Sequence, residues 1–124
     1  MRLGLTLPWP AQPAWPNRRR SWQATQRARN DQRDDACREV LCLLDYDDYR
    51  QAFAGQGKLP TKVLFCPPTK GRFDLDNALS ACKGYLDGVA LALEVDDSRF
   101  RPLTVDQGPV EKHGAVYIQV TEED

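Results

Sequence analysis

Apolar and polar residues alternate at the start of the chain. Leu3, Leu5 and Leu7 share one side of an extended segment, which predicts a strand over 2–7. Pro8, Pro10, Pro13 and Pro16 end that strand and hold an extended loop that carries Trp9 and Trp15. After Ser21, a residue suited to cap a helix, the period changes to three to four and predicts a helix over 22–44. Its first half is polar and arginine-rich. In its second half Cys37, Val40, Leu41 and Leu44 make a stripe expected to be buried. Residues 45–57 are acidic and then contain glycine, which suggests a loop with room for a short helical turn.

Val63, Leu64 and Phe65 predict a buried strand over 59–66, closed by Pro67 and Pro68. A basic turn over 69–72 leads through Asp74, Leu75 and Asp76 into a second helix expected over 77–93. There Leu79, Cys82, Leu86, Val89, Ala90 and Leu93 recur at helical spacing. Asp96 and Asp97 break it. Strands over 99–105 and 115–120 follow, joined by a long hairpin loop over 106–114. With no internal repeat and no linker, residues 1–124 are expected to form one domain. The order β-α-β-α-β-β predicts an α+β, two-layer fold with the two main helices packed on one face of a small mixed sheet.

Composition narrows the function classes. The chain has 124 residues, a net charge of −1 and a hydrophobic fraction of 41%, enough for a modest core. No apolar run approaches the roughly 20 residues of a membrane span. Prolines interrupt the region where a signal peptide would lie. A soluble, intracellular protein is expected. Cys37, Cys42, Cys66 and Cys82 form no CxxC pair and His113 is the lone histidine, a poor set for zinc. Free thiols, three of them on buried faces, fit a reducing compartment.

The acidic residues around the second helix carry the most chemistry. Asp74 and Asp76 lie two apart on a segment expected to be extended, so their carboxylates point to one side and can converge on a metal. Carboxylates held this close repel unless a cation sits between them, and a hard ion such as Mg²⁺ prefers such oxygen ligands. Along a continuous helix Asp76, Ser80, Lys83 and Asp87 would form one polar stripe beside the apolar one. Asp97, or Asp96 in its place, would add a third carboxylate if the fold curls back. Carboxylates, a metal and a lysine are the equipment of phosphodiester hydrolysis. Each residue also has a plainer reading: Asp76 as a helix cap, Lys83 and Asp87 as a solvated pair, Asp96 and Asp97 as a turn.

Basic residues flank this constellation. Lys70 and Arg72 precede it, and Arg18, Arg19 and Arg20 lie between Trp15 and Trp22. Mixed cations and aromatics suit contact with nucleic-acid backbone and bases, and equally a solvated helix terminus.

The set Leu7–Pro8–Trp9–Pro10, Pro16–Asn17–Arg18–Arg19, Phe65–Cys66–Pro67–Pro68, Asp74–Leu75–Asp76–Asn77, Lys83, Leu86–Asp87–Gly88 and Val95 to Phe100 occurs in order over nearly the whole chain. It resembles the RusA family of Holliday-junction endonucleases, in its phage and prophage branch. The resemblance implies a small homodimer of the cytoplasm that binds four-way DNA junctions in recombination and repair. It implies paired symmetric nicks, supported by Mg²⁺, with Mn²⁺ able to substitute, and no small-molecule cofactor. The family's catalytic and metal-binding aspartates fall on Asp74, Asp76 and Asp97. Its lysine is expected where this chain has Ser80, and Lys83, one turn on, is its counterpart. Lys70, Arg72 and Arg18 to Arg20 would bind DNA. A junction-binding protein that keeps the fold without cleaving is the alternative, and a nucleotide phosphohydrolase a third, for which no glycine-rich phosphate cradle is present.

Overall fold

The computed structural model describes residues 1–16 and 21–122. The alternating leucines form β1 (Arg2–Leu7), as the pattern predicts. α1 (Trp22–Leu41) starts where expected, with the Ser21 hydroxyl accepting from Ala24 N at 3.1 Å. Then come α2 (Tyr46–Ala52), β2 (Thr61–Cys66), α3 (Leu75–Ala81), α4 (Lys83–Leu93), β3 (Leu103–Gln107) and β4 (Ala115–Thr121).

The sheet is mixed, in the order β1-β4-β2-β3. β4 lies between β1 and β2, antiparallel to both, and β3 runs parallel to β2 at the edge. Side chains from the three antiparallel strands stand in rows: Leu3, Val120 and Thr61; Leu5, Ile118 and Val63; Leu7, Val116 and Phe65. All nine are buried. They share one core with Ala36 and Val40 of α1, Ala78 of α3, and Tyr85, Val89 and Leu93 of α4. The opposite sheet face, with Gly4, Lys62, Leu64 and Gln119, lines an open groove. The fold is therefore α+β, a four-stranded mixed sheet with, among the described residues, four α-helices.

Four expectations change. The strands near the C-terminus do not form a hairpin, because β4 inserts between β1 and β2 while β3 pairs with β2. The helix expected over 77–93 is two helices, broken at Cys82 (φ −105°, ψ 8°). Residues 45–57 hold α2, whose Tyr46 hydroxyl donates to Ala92 O at 2.5 Å while Phe53 is fully buried. Finally, α1 stops at Leu41 and buries Gln32, Ala36 and Val40, leaving Leu41 and Leu44 exposed. Spacing of four selects that face because α1 lies against α4 at glycines. A Cβ on Gly84 or Gly88 would strike the Arg29 or Arg33 carbonyl.

Cys66 and Cys82 are buried, Cys37 is half-buried and Cys42 is exposed; all four are free. No helix among the described residues is long and apolar enough to cross a membrane.

Candidate functional site

β1 and β2 point the same way, both antiparallel to β4, so the loops that follow them leave the same end of the sheet. The β1–α1 loop carries Trp9 and Trp15. The β2–α3 loop carries the two prolines, Arg72, Phe73 and Asp74. Between them lies an open cleft of about 710 Å³ lined by these residues and Asn77.

Its aromatic wall is tightly connected. Trp9 lies 5.7 Å from Trp15 and meets Phe73 edge-on at 5.5 Å and Phe65 at 6.3 Å. Trp15 Nε1 donates to Pro10 O at 3.2 Å, fixing that ring from within its own loop. Gly114, at φ 73°, lets Trp9 approach: a Cβ there would lie 2.8 Å from Trp9 Cβ.

At the lip stands Asp74, extended as expected and acting as the N-cap of α3. Its Oδ1 accepts from Asp76 N at 2.9 Å. The helix thus begins two residues earlier than Asp76 capping would require, and Asp76 sits inside the first turn, exposed. The two carboxylates are neighbours across a cap rather than residues of one extended segment.

The break at Cys82 divides the expected polar stripe. Asp76 and Ser80 stay on α3, and Lys83 and Asp87 open α4. Among the described residues Lys83 and Asp87 form no ion pair. Asp87 is pushed above the usual carboxylate range, first by burial and then by the negative charge of Asp97; Arg29, Arg33 and Lys83 pull it down. Asp97 is therefore associated with Asp87. Asp96 differs from it: its carboxylate accepts from Ser98 N at 2.9 Å, and its pKa is lowered by that bond.

The chain reaches these acids from opposite ends of the sheet. Asp74 follows the end of β2, whereas Asp97 precedes β3, whose Leu103 stands beside Thr61 at the start of β2. Among the described residues no three His, Cys, Asp or Glu side chains gather as a metal-binding group. Asp74 and Asp76 lie together at the start of α3, and the charge of Asp97 is felt at Asp87.

A protein of Xylella fastidiosa (strain Temecula1 / ATCC 700964), described as "Uncharacterized protein", is 37% identical over 124 residues, spanning 94% of this chain and 74% of that one. This chain belongs to its family. No family model matches the chain.

Lys70 and Arg72 are exposed and, among the described residues, carry no ion pair. Arg18, Arg19 and Arg20 lie outside the described residues. Trp22 is 72% exposed and is not part of the cleft. Sequence reasoning missed Phe73 as part of the aromatic wall, and missed that the charges of Arg29 and Arg33 act on Asp87. The first is signalled by an aromatic residue directly before the acidic motif. The second is signalled by two arginines four residues apart, on one face of α1.

Proposed function

We propose that this protein is a Mg²⁺-dependent, structure-specific endodeoxyribonuclease that cuts four-way DNA junctions with paired nicks, as the resemblance to the RusA family implies. The observation that carries the reading is the Asp74 carboxylate at the lip of a cleft that also presents Arg72 and three aromatic rings. Such a surface suits a DNA backbone and its bases more than a free nucleotide.

Two neighbouring carboxylates suit Mg²⁺, which binds through one or two carboxylates and completes its shell with water and substrate phosphate. Asp74 and Asp76 would hold it, with Mn²⁺ able to take its place, and Asp97, reached from the other end of the sheet, would not complete that group. When bound, such an ion supplies activation of water and polarisation of the phosphate. The residues of the chain do the rest. Arg72 and Lys70 bind the flanking phosphates, and Lys83 offers a cation to the charge that develops on the phosphate oxygens. The cap bond fixes the Asp74 carboxylate before substrate arrives. A homodimer would set two such sites against the near-two-fold symmetry of a junction.

A second reading, a junction-binding protein that does not cleave, is favoured by the lack, among the described residues, of any cluster of three acidic side chains. Incubation with a labelled four-way junction and a linear duplex, with and without Mg²⁺ or Mn²⁺, decides between them. Paired, metal-dependent nicks on the junction alone are expected. Binding without nicking under either ion would establish the second reading.

A further inference from the structure

We propose that the cleft between the β1–α1 and β2–α3 loops is a stacking pocket for one unpaired nucleotide of a DNA strand, whose phosphate is held by Arg72. The inference rests on the nucleic-acid reading of this site and names what part of the DNA enters it.

Size and shape fit a single base. The volume of about 710 Å³ lies in the range of small-molecule pockets. The cleft is open, so a strand can enter and leave it. Trp9, Trp15 and Phe73 are each half-buried: anchored in the fold, yet with surface left to offer.

The platform is also formed in advance. Trp9 is braced by Phe65, Phe73 and Gly114, and Trp15 is tied to the Pro10 carbonyl. A ring held in place loses little freedom when a base stacks on it. Stacking accepts any base, because every base has a π-face.

The polar groups select the ligand further. The Arg72 guanidinium has no ion pair among the described residues, and Lys70 lies two positions before it. Asn77 supplies a side-chain amide, which can both donate to and accept from a base edge. Aromatic clefts also receive proline-rich peptides, but two free cations on one loop favour an anionic chain. A base in a duplex is stacked and paired, and removing it costs energy. A base already extruded or unpaired at a branch avoids most of that cost.

The test is a binding assay with full-length Asp74→Asn protein. Asparagine keeps the cap, and the carboxylate that repels phosphate is gone. The probes are a short labelled duplex with one extruded thymidine, the same duplex fully paired, and a proline-rich peptide. The extruded duplex should bind about tenfold more tightly than the paired one, in line with the contribution of one stacked base. It alone should quench tryptophan fluorescence. Adding Trp15→Leu should abolish the preference while leaving binding of the paired duplex. Arg72→Ala, at an exposed side chain, should also reduce the preference and serves if Trp15→Leu does not fold. Equal affinity for both duplexes, a preference that survives both substitutions, or quenching by the peptide alone would overturn the proposal. The assay reads binding only. A preference in a protein whose wild type never nicks junctions would overturn the nuclease reading alone, and nicking by wild type with no preference would overturn the stacking pocket alone.

Discussion

The Gln32 side-chain amide donates to the main-chain carbonyl of Ala81 at 2.6 Å, from α1 to the end of α3. That carbonyl is free because the helix breaks at Cys82. In a continuous helix Tyr85 N would bond Ala81 O, but here it bonds Cys82 O at 3.0 Å. Gln32 thus takes the place of the missing helical bond, and its burial follows from that role. Replacing it by leucine leaves a buried carbonyl without a partner. Gln32→Leu should cost about 1–3 kcal/mol, read as a lower urea midpoint with an unchanged slope.

The contact between α1 and α4 depends equally on having no side chain at Gly88. A Cβ there would lie 2.9 Å from Ala36 Cβ and 3.0 Å from Arg33 C, and a backbone atom cannot swing aside. Gly88→Ala should destabilise by about 1–3 kcal/mol despite alanine's better helix propensity. Gly4→Ala is the control. Nothing lies within 4 Å of a Cβ at Gly4, so that change should be neutral or stabilise by up to about 1 kcal/mol. Urea unfolding of the two variants checks both signs.

The elements that follow from local pattern were legible in the sequence. The alternation of Leu3, Leu5 and Leu7 gives β1, and Ser21 marks the start of α1 at the right residue. What depends on distant partners was not. Nothing local tells β4 to enter between β1 and β2 rather than fold back on β3. The break at Cys82 is supported by a glutamine 50 positions earlier. Tyr46, Tyr49 and Phe53 do lie at helical spacing, but the surrounding aspartates and glycines hid α2. At the site, Asp74 and Asp76 were legible as neighbours because they are close in sequence. The pairing of Asp97 with Asp87 reflects how the chain after α4 returns to the helix.

Alkaline pH should weaken the fold through Cys66. Burial, then a hydrogen bond to Glu111 and that residue's negative charge, push the thiol from 9.0 up to about 11. A folded-state value raised above the unfolded one favours the protonated form in the native protein. The stabilisation is fully present below pH 9.0 and is lost as pH rises through about 11. Tyr85 and Tyr117 are also raised, by burial and by Glu111 respectively, and add to the loss. Urea midpoints of wild-type protein should therefore fall between pH 9 and 11, and those of Cys66→Ala should fall less steeply. Identical slopes would mean that the thiol does not ionise differently in the two states.

Asp74 has two separable duties, and two substitutions divide them. Its carboxylate caps α3 through the bond from Asp76 N, and under the nuclease reading it also holds the metal. Asparagine caps about as well as aspartate, whereas alanine does not. Asp74→Asn should unfold at nearly the wild-type urea midpoint, and Asp74→Ala should lose about 1 kcal/mol. Both should fail to nick a four-way junction. Asp74→Asn should bind the junction as well as wild type or better, because a negative charge has been removed from the phosphate path. Were Asp74→Asn to cleave normally, the carboxylate would be a cap alone. The metal would then have to be sought at the other acids, Asp87 and Asp97, whose negative charges oppose each other.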